Sequence, residues 1–142
     1  MPTRHAEAQW EGKLQNGKGT MTLGSGAYKG AYSFASRFEN GEGTNPEELI
    51  GAAHAGCFSM AFSLFLEKAG YTANHIRTHA DVTLGKVGDG FKITHIALKT
   101  EADIPGIEDE EFQRQAQAAK DGCPVSQALA GTEISIEARL VV

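Results

Sequence analysis

Cysteine is scarce, with two in 142 residues. That excludes a disulfide-dense mini-domain and a four-cysteine zinc site. Proline is scarce as well, at 4, against 17 glycines, which predicts many turns or bulges but no fibrous repeat. Positive charge is in deficit: 13 Lys and Arg face 18 Asp and Glu, for a formal charge of -5 and a pI near 5.5. A basic footprint for nucleic acid or an anionic membrane surface is therefore missing. There is no internal repeat, no low-complexity tract and no charge run longer than EDEE at 108–111. The N-terminal MPTRHAEAQWEGK has no apolar h-region and no small-residue cleavage site, so a cytoplasmic protein with reduced thiols is expected. What is present is 41% hydrophobic and 22% charged residues. Such a chain is not disordered, and its length suits one domain, residues 1–142, with a sizeable core.

Short strands between glycine turns are predicted first, over Ala6–Glu11, Lys18–Leu23 and Tyr32–Glu39. In the third, Phe34 and Phe38 fall on one face and Ala35, Arg37 and Glu39 on the other, a period of two. GEGTNP then breaks the chain. Thr44 or Asn45 can N-cap a helix, Pro46 suits its first position, and Glu47 and Glu48 complement its dipole. The helix is expected from about Pro46 to Ala69, stopping at Gly70. Leu49, Ile50, Phe58, Met60, Phe62, Leu64, Phe65 and Leu66 leave it no clean polar stripe. His54, Ser59 and Ser63 interrupt it and no topogenic flank surrounds it, so it reads as buried rather than membrane-spanning.

A helix of about 23 residues is roughly 35 Å long. A compact domain of this size is only about 37 Å across. One small subunit cannot cover such a helix on every side, so a homodimer with a large interface is expected. Two strands, about Ile76–Lys86 and Phe91–Ile104, should form a hairpin through Gly88-Asp89-Gly90. A helix over about Asp109–Asp121, ended by Gly122, a short helix from Pro124 to about Ala130, and a strand over Glu133–Val141 complete the chain. The order argues for an α+β fold with antiparallel pairing.

Four side chains and their neighbours are candidates for chemistry. Cys57 lies mid-helix among apolar residues. It is either a small core hydrophobe or a thiol made reactive by a cation brought to it. Cys123 sits at the N-cap of the short helix, where unpaired N–H groups favour a thiolate. CPVS resembles the C-x-x-S of single-thiol redox helices, without the βαβ context of a thioredoxin fold. Arg37 precedes the breaker and, taken alone, reads first as a solvated surface residue. Glu47 and Glu48 read first as dipole-stabilising acids. His54 is one turn before Cys57 on the same face, so a Cys/His nucleophile pair is conceivable. His54, Cys57 and Cys123 supply too few ligands for a zinc site, and no phosphate-binding loop, dinucleotide fingerprint, GxSxG or HExxH occurs. No metal and no cofactor is expected.

Taken together, TNPEELIGAAHAGCFSMAFS and GCPVSQAL, with their cysteines 66 positions apart, resemble the osmotically induced protein C / organic hydroperoxide resistance (OsmC/Ohr) family. RFENGEGTNPEEL, with Arg37 ten residues before Glu47, and ALKTEADIPGI fit the same pattern. The resemblance spans about Trp10 to Leu140, and CPVSQAL is closer to the osmotically induced branch. It implies an intertwined α+β homodimer, an antiparallel sheet wrapped around long central helices. It also implies a stress-related thiol peroxidase for organic hydroperoxides, with hydrogen peroxide a weaker substrate. In it Cys57 would be the peroxidatic cysteine, Cys123 the resolving cysteine, Arg37 the activator of the thiolate and Glu47 the carboxylate that holds Arg37. An external dithiol, of lipoyl type in this family, would reset the pair; nucleic acid and membrane are not expected partners. Glu47 and Cys57, ten residues apart on one helix, are about 15 Å apart along its axis and point in different directions. Arg37 and Glu47 of one subunit are thus expected to serve Cys57 and Cys123 of the other. Two other readings remain at this point: a non-catalytic small-molecule-binding or scaffold dimer with inert cysteines, and a Cys57/His54 thiol hydrolase lacking an evident third member.

Overall fold

A computed structural model describes residues 1–141. The chain divides into two compact units, Met1–Leu49 and a second from Ile50 onward. In the first, β1 (Ala6–Glu11), β2 (Lys18–Leu23) and β3 (Lys29–Tyr32) form an antiparallel meander in the order β1-β2-β3. Trp10 pairs across from Gly19, which in turn faces Tyr32. The two aromatic rings meet over this glycine at 5.4 Å between centroids. A Cβ at Gly19 would strike both rings. Nearly every residue of these strands stays exposed or half-buried.

The expected third strand over Tyr32–Glu39 is a correction. The strand ends at Tyr32, and Phe34–Phe38 is a one-turn helix, α1. A capping box decides it: the Ser36 N–H donates to Ser33 Oγ and the Ser33 N–H donates to Ser36 Oγ. The spacing that suggested a strand fits both structures. Residues four apart share a face at period two and also at period 3.6, and Phe34 and Phe38 stack at 4.9 Å.

α2 (Pro46–Lys68) has the expected limits. Of the two cap candidates Asn45 is the one used, since its Oδ1 accepts from the Glu48 N–H at 2.7 Å. Gly70 ends the helix at φ 95°, a conformation glycine takes without a Cβ penalty.

The second unit is built on β4 (His75–Val87) and β5 (Gly90–Asp103), an antiparallel hairpin with a bulge at Thr83/Leu84. Its tight turn is Gly88-Asp89, one residue earlier than an Asp-Gly turn, with Gly88 at φ 62°. β6 (Glu133–Val141) lies beside β5 in parallel, giving the order β4-β5-β6. The expectation of purely antiparallel pairing is corrected here. The chain leaves β5 at Asp103, crosses through α3 (Asp109–Gly122) and α4 (Pro124–Ala128), and re-enters opposite His95. A helical crossover of that kind brings a strand back in the same direction.

The core follows from strand alternation and helix periodicity. Ile96, Leu98 and Ala102 of β5 pack with Phe58, Phe62 and Leu66 of α2 and with Phe112, Ala116 and Ala119 of α3. Ile134, Ile136, Ala138 and Leu140 of β6 flank this cluster on a single strand face. α2 is long and apolar enough to cross a membrane. Yet Phe58, Phe62 and Leu66 are fully buried on one side, while Met60 is 77% and Leu64 47% exposed on another.

Candidate functional site

Two constellations carry the predicted chemistry, one in each unit. In the first, α1 and the start of α2 are tied together by backbone-directed bonds. Ser36 Oγ donates to the Thr44 carbonyl at 2.7 Å, and Asn45 Nδ2 donates to the Ser36 carbonyl at 3.0 Å. This holds Arg37 against Glu47 as a bidentate pair: Nε donates to Oε1 at 3.1 Å and Nη2 to Oε2 at 2.9 Å. Glu47 is 9% exposed and Arg37 36%, so the carboxylate is the fixed member and the guanidinium keeps a free edge. Glu48 plays a different part, accepting from the Thr44 hydroxyl. Arg37 thus sits on a helix rather than on the polar face of a strand. Its guanidinium carbon lies 5.5 Å from the centre of the Phe38 ring. Trp10, Leu14, Tyr32, Phe34 and Phe38 line a mainly apolar cleft of about 250 Å³ beside it.

In the second unit the two cysteines meet. The Sγ atoms of Cys123 and Cys57 lie 2.8 Å apart, and both cysteines are free. Cys123 is fully buried; Cys57 is partly exposed. Gly122 precedes Cys123, and a Cβ there would press on the Phe65 ring at 3.2 Å. Pro124 opens α4 immediately afterwards. Cys123 is the N-cap of α4, as expected, but its side chain makes no capping bond. The backbone N–H of Val125 is instead turned to the Cys57 sulfur and draws its pKa down. Burial is the larger effect and pushes the Cys57 thiol up, with the Cys123 thiol adding to it. A cation brought to it, or a higher pH, is needed to make it a thiolate.

His54 does not pair with Cys57. It is fully buried and its Nε2 lies 2.7 Å from Ser126 Oγ. That removes the base from the thiol-hydrolase reading. Burial lowers its pKa, so the ring is neutral near pH 7. Ser126, on α4, is the serine of the CPVS motif, and nothing local in the sequence points to its bond with His54. Among the described residues no group of three or more His, Cys, Asp or Glu could hold a metal ion.

The family described as OsmC-like protein matches residues 39–139. The chain is 53% identical over 138 residues to Peroxiredoxin OsmC of Escherichia coli K12, covering 96% of both chains. It is 32% identical over 93 residues to an organic hydroperoxide resistance protein-like chain of Staphylococcus aureus, covering 65% of this chain and 66% of that one. Among solved structures, an organic hydroperoxide resistance protein of Elizabethkingia anophelis superposes with a TM-score of 0.74 at 25% identity, over 99% of this chain and 96% of the other. With the motifs around Cys57 and Cys123 inside the matched span, the chain belongs to the OsmC-like family.

Proposed function

We propose that this protein is a cytoplasmic thiol peroxidase that reduces organic hydroperoxides, and hydrogen peroxide more weakly, in oxidative or osmotic stress. The observation that carries the reading is the approach of the Cys123 thiol to within 2.8 Å of Cys57 Sγ. The Cys57 thiolate attacks the outer peroxide oxygen, the O–O bond breaks, and with one proton the alcohol leaves. Cys57 becomes a sulfenic acid. The Cys123 thiol then displaces the hydroxyl as water, and a disulfide joins the two sulfurs. Each turnover takes two electrons from the cysteine pair, and an external dithiol of lipoyl type returns them by exchange.

A raised Cys57 pKa calls for a fixed cation, and Arg37 supplies one. It is always charged, and Glu47 holds it while leaving an edge free. The apolar cleft beside Arg37 suits the alkyl portion of an organic hydroperoxide. Glu47 and Cys57 are about 15 Å apart along α2, so Arg37 and Glu47 of one subunit serve Cys57 and Cys123 of its partner in a homodimer. The exposed Met60 and Leu64 of α2 and the uncovered strands β1–β3 support that assembly. The relatives named for peroxiredoxin and hydroperoxide-resistance activity support the chemistry.

Thiol titration before and after one equivalent of cumene hydroperoxide tests it. The wild type should lose both thiols. Cys57→Ser should lose none, and Cys123→Ser should consume one equivalent and stall at the sulfenic acid or over-oxidise. Survival of both wild-type thiols would leave a scaffold dimer with inert cysteines as the better reading.

A further inference from the structure

The cysteines meet across two helices, and one buried bond joins those helices close by. His54 stands three residues before Cys57 on α2, and Ser126 three residues after Cys123 on α4. Each is therefore about one turn from its cysteine and on the same side of its helix. His54 Nε2 and Ser126 Oγ are 2.7 Å apart, with His54 fully buried and Ser126 6% exposed. His54 Nδ1 is buried without a hydrogen-bond partner among the described residues, so the bond to Ser126 is the one that fixes the ring. Separating the pair inside the core would leave both polar groups unsatisfied, which is costly. The five-residue α4 has little else of its own to hold it: its N-cap side chain makes no capping bond.

We infer that His54 and Ser126 form a latch that seats α4 on α2. It sets both the Cys123 thiol and the Val125 N–H at the Cys57 sulfur. The two are positioning residues, since neither touches a reacting atom. The inference rests on the proposed peroxidase chemistry for one of its consequences only. With the latch closed, Cys123 is held in place to attack the Cys57 sulfenic sulfur, forming the disulfide and releasing water. With it open, the sulfenic acid persists. The second consequence needs no peroxide: the Val125 N–H stabilises the Cys57 thiolate only while α4 is seated.

Two pairs of variants test the latch. Ser126→Ala removes the hydroxyl and Ser126→Thr keeps it. His54→Asn places its amide too short to reach Ser126, whereas the amide of His54→Gln extends to where Nε2 lies. Thermal melting establishes that each variant is folded. Dimedone competes with Cys123 for the sulfenic acid formed by one equivalent of cumene hydroperoxide. Iodoacetamide labelling, read at Cys57 by peptide mass spectrometry across pH, follows the thiolate in the reduced protein. A misplacement of about 1 Å costs on the order of 100-fold in such reactions. Disulfide formation in Ser126→Ala and His54→Asn should thus slow by about 10–100-fold, with the dimedone adduct becoming the main product. Labelling of Cys57 should shift to higher pH in the same two variants. Ser126→Thr and His54→Gln should restore both readouts. Wild-type disulfide formation and an unshifted labelling profile in either folded latch-breaking variant would overturn the inference. If Ser126→Ala does not fold, the Asn and Gln pair at His54 decides. Should the wild type consume no hydroperoxide, the peroxidase reading fails, and the labelling profile still decides the latch.

Discussion

Arg37 and Glu47 show how residue identity sets a division of labour. The carboxylate is buried and the guanidinium half-exposed, so the ion pair orients the cation without spending all its donors. A lysine could not do both, having a single point charge on a flexible stem. His54 makes the opposite case, a titratable group kept neutral. Burial holds its folded pKa below the ordinary value, while the unfolded chain takes a proton near about 6.5. Between those two values the unfolded state binds more protons, so stability is full above about 6.5 and declines as the pH falls towards the folded pKa. Urea unfolding of the wild type at pH 7.5 and pH 5.5 should show that loss, and His54→Gln should show less of it. Equal losses in both proteins would mean that other groups dominate the acid response.

At the element scale, α2 does three jobs with one sequence. Its first turn carries Glu47, its middle Cys57, and its buried side Phe58, Phe62 and Leu66. Phe62 is the hub of that side, with ring centroids 5.5 Å from both Phe58 and Phe112 and no exposure. Truncation to alanine removes the ring and leaves a cavity that the α2–α3 contact cannot close. Phe62→Ala should cost about 3–5 kcal/mol, measured by chemical denaturation. Met60→Ala, on the exposed side of the same helix, should cost far less in the monomeric unit. A loss under 1.5 kcal/mol at Phe62, of the order seen for volume-conserving swaps, would show that α2 is less tightly packed on α3 than these contacts require. α4 depends on its neighbours in a different way. Five residues cannot hold a helix by propensity alone, so its place is fixed by Gly122, Pro124 and the bond to His54.

At the scale of the whole molecule, the proposal that the site is completed between subunits has a direct test. Cys57→Ser protein lacks the nucleophile in both sites, and Arg37→Ala protein lacks the cation in both. Unfolding the two together and refolding them pairs chains at random. Half the dimers are then mixed, each with one intact site of two, so about a quarter of wild-type peroxidase activity should return. No recovery, with mixed dimers confirmed by native mass spectrometry, would mean that Arg37 serves the Cys57 of its own chain.

Much of this was legible locally. β1 and β2 have the limits predicted for them, and α2 begins at Pro46 and stops before Gly70; the pairing of Glu47 with Arg37 was implied by the family resemblance and not by the local sequence. Caps, breakers and periodic burial act within one turn or one strand, so a few neighbouring residues suffice to encode them. The one-turn helix at Phe34–Phe38 was not legible, because a four-residue spacing satisfies both periods and the Ser33–Ser36 box had to arbitrate. The parallel placement of β6 was not legible either, since strand direction depends on which end of β5 the crossover reaches. Nor was the pairing of His54 with Ser126, 72 positions away, or the turning of the Val125 N–H to Cys57 instead of Cys123. Those contacts join distant elements, and burial of the α2, α3 and β5 side chains in one core is what brings them together.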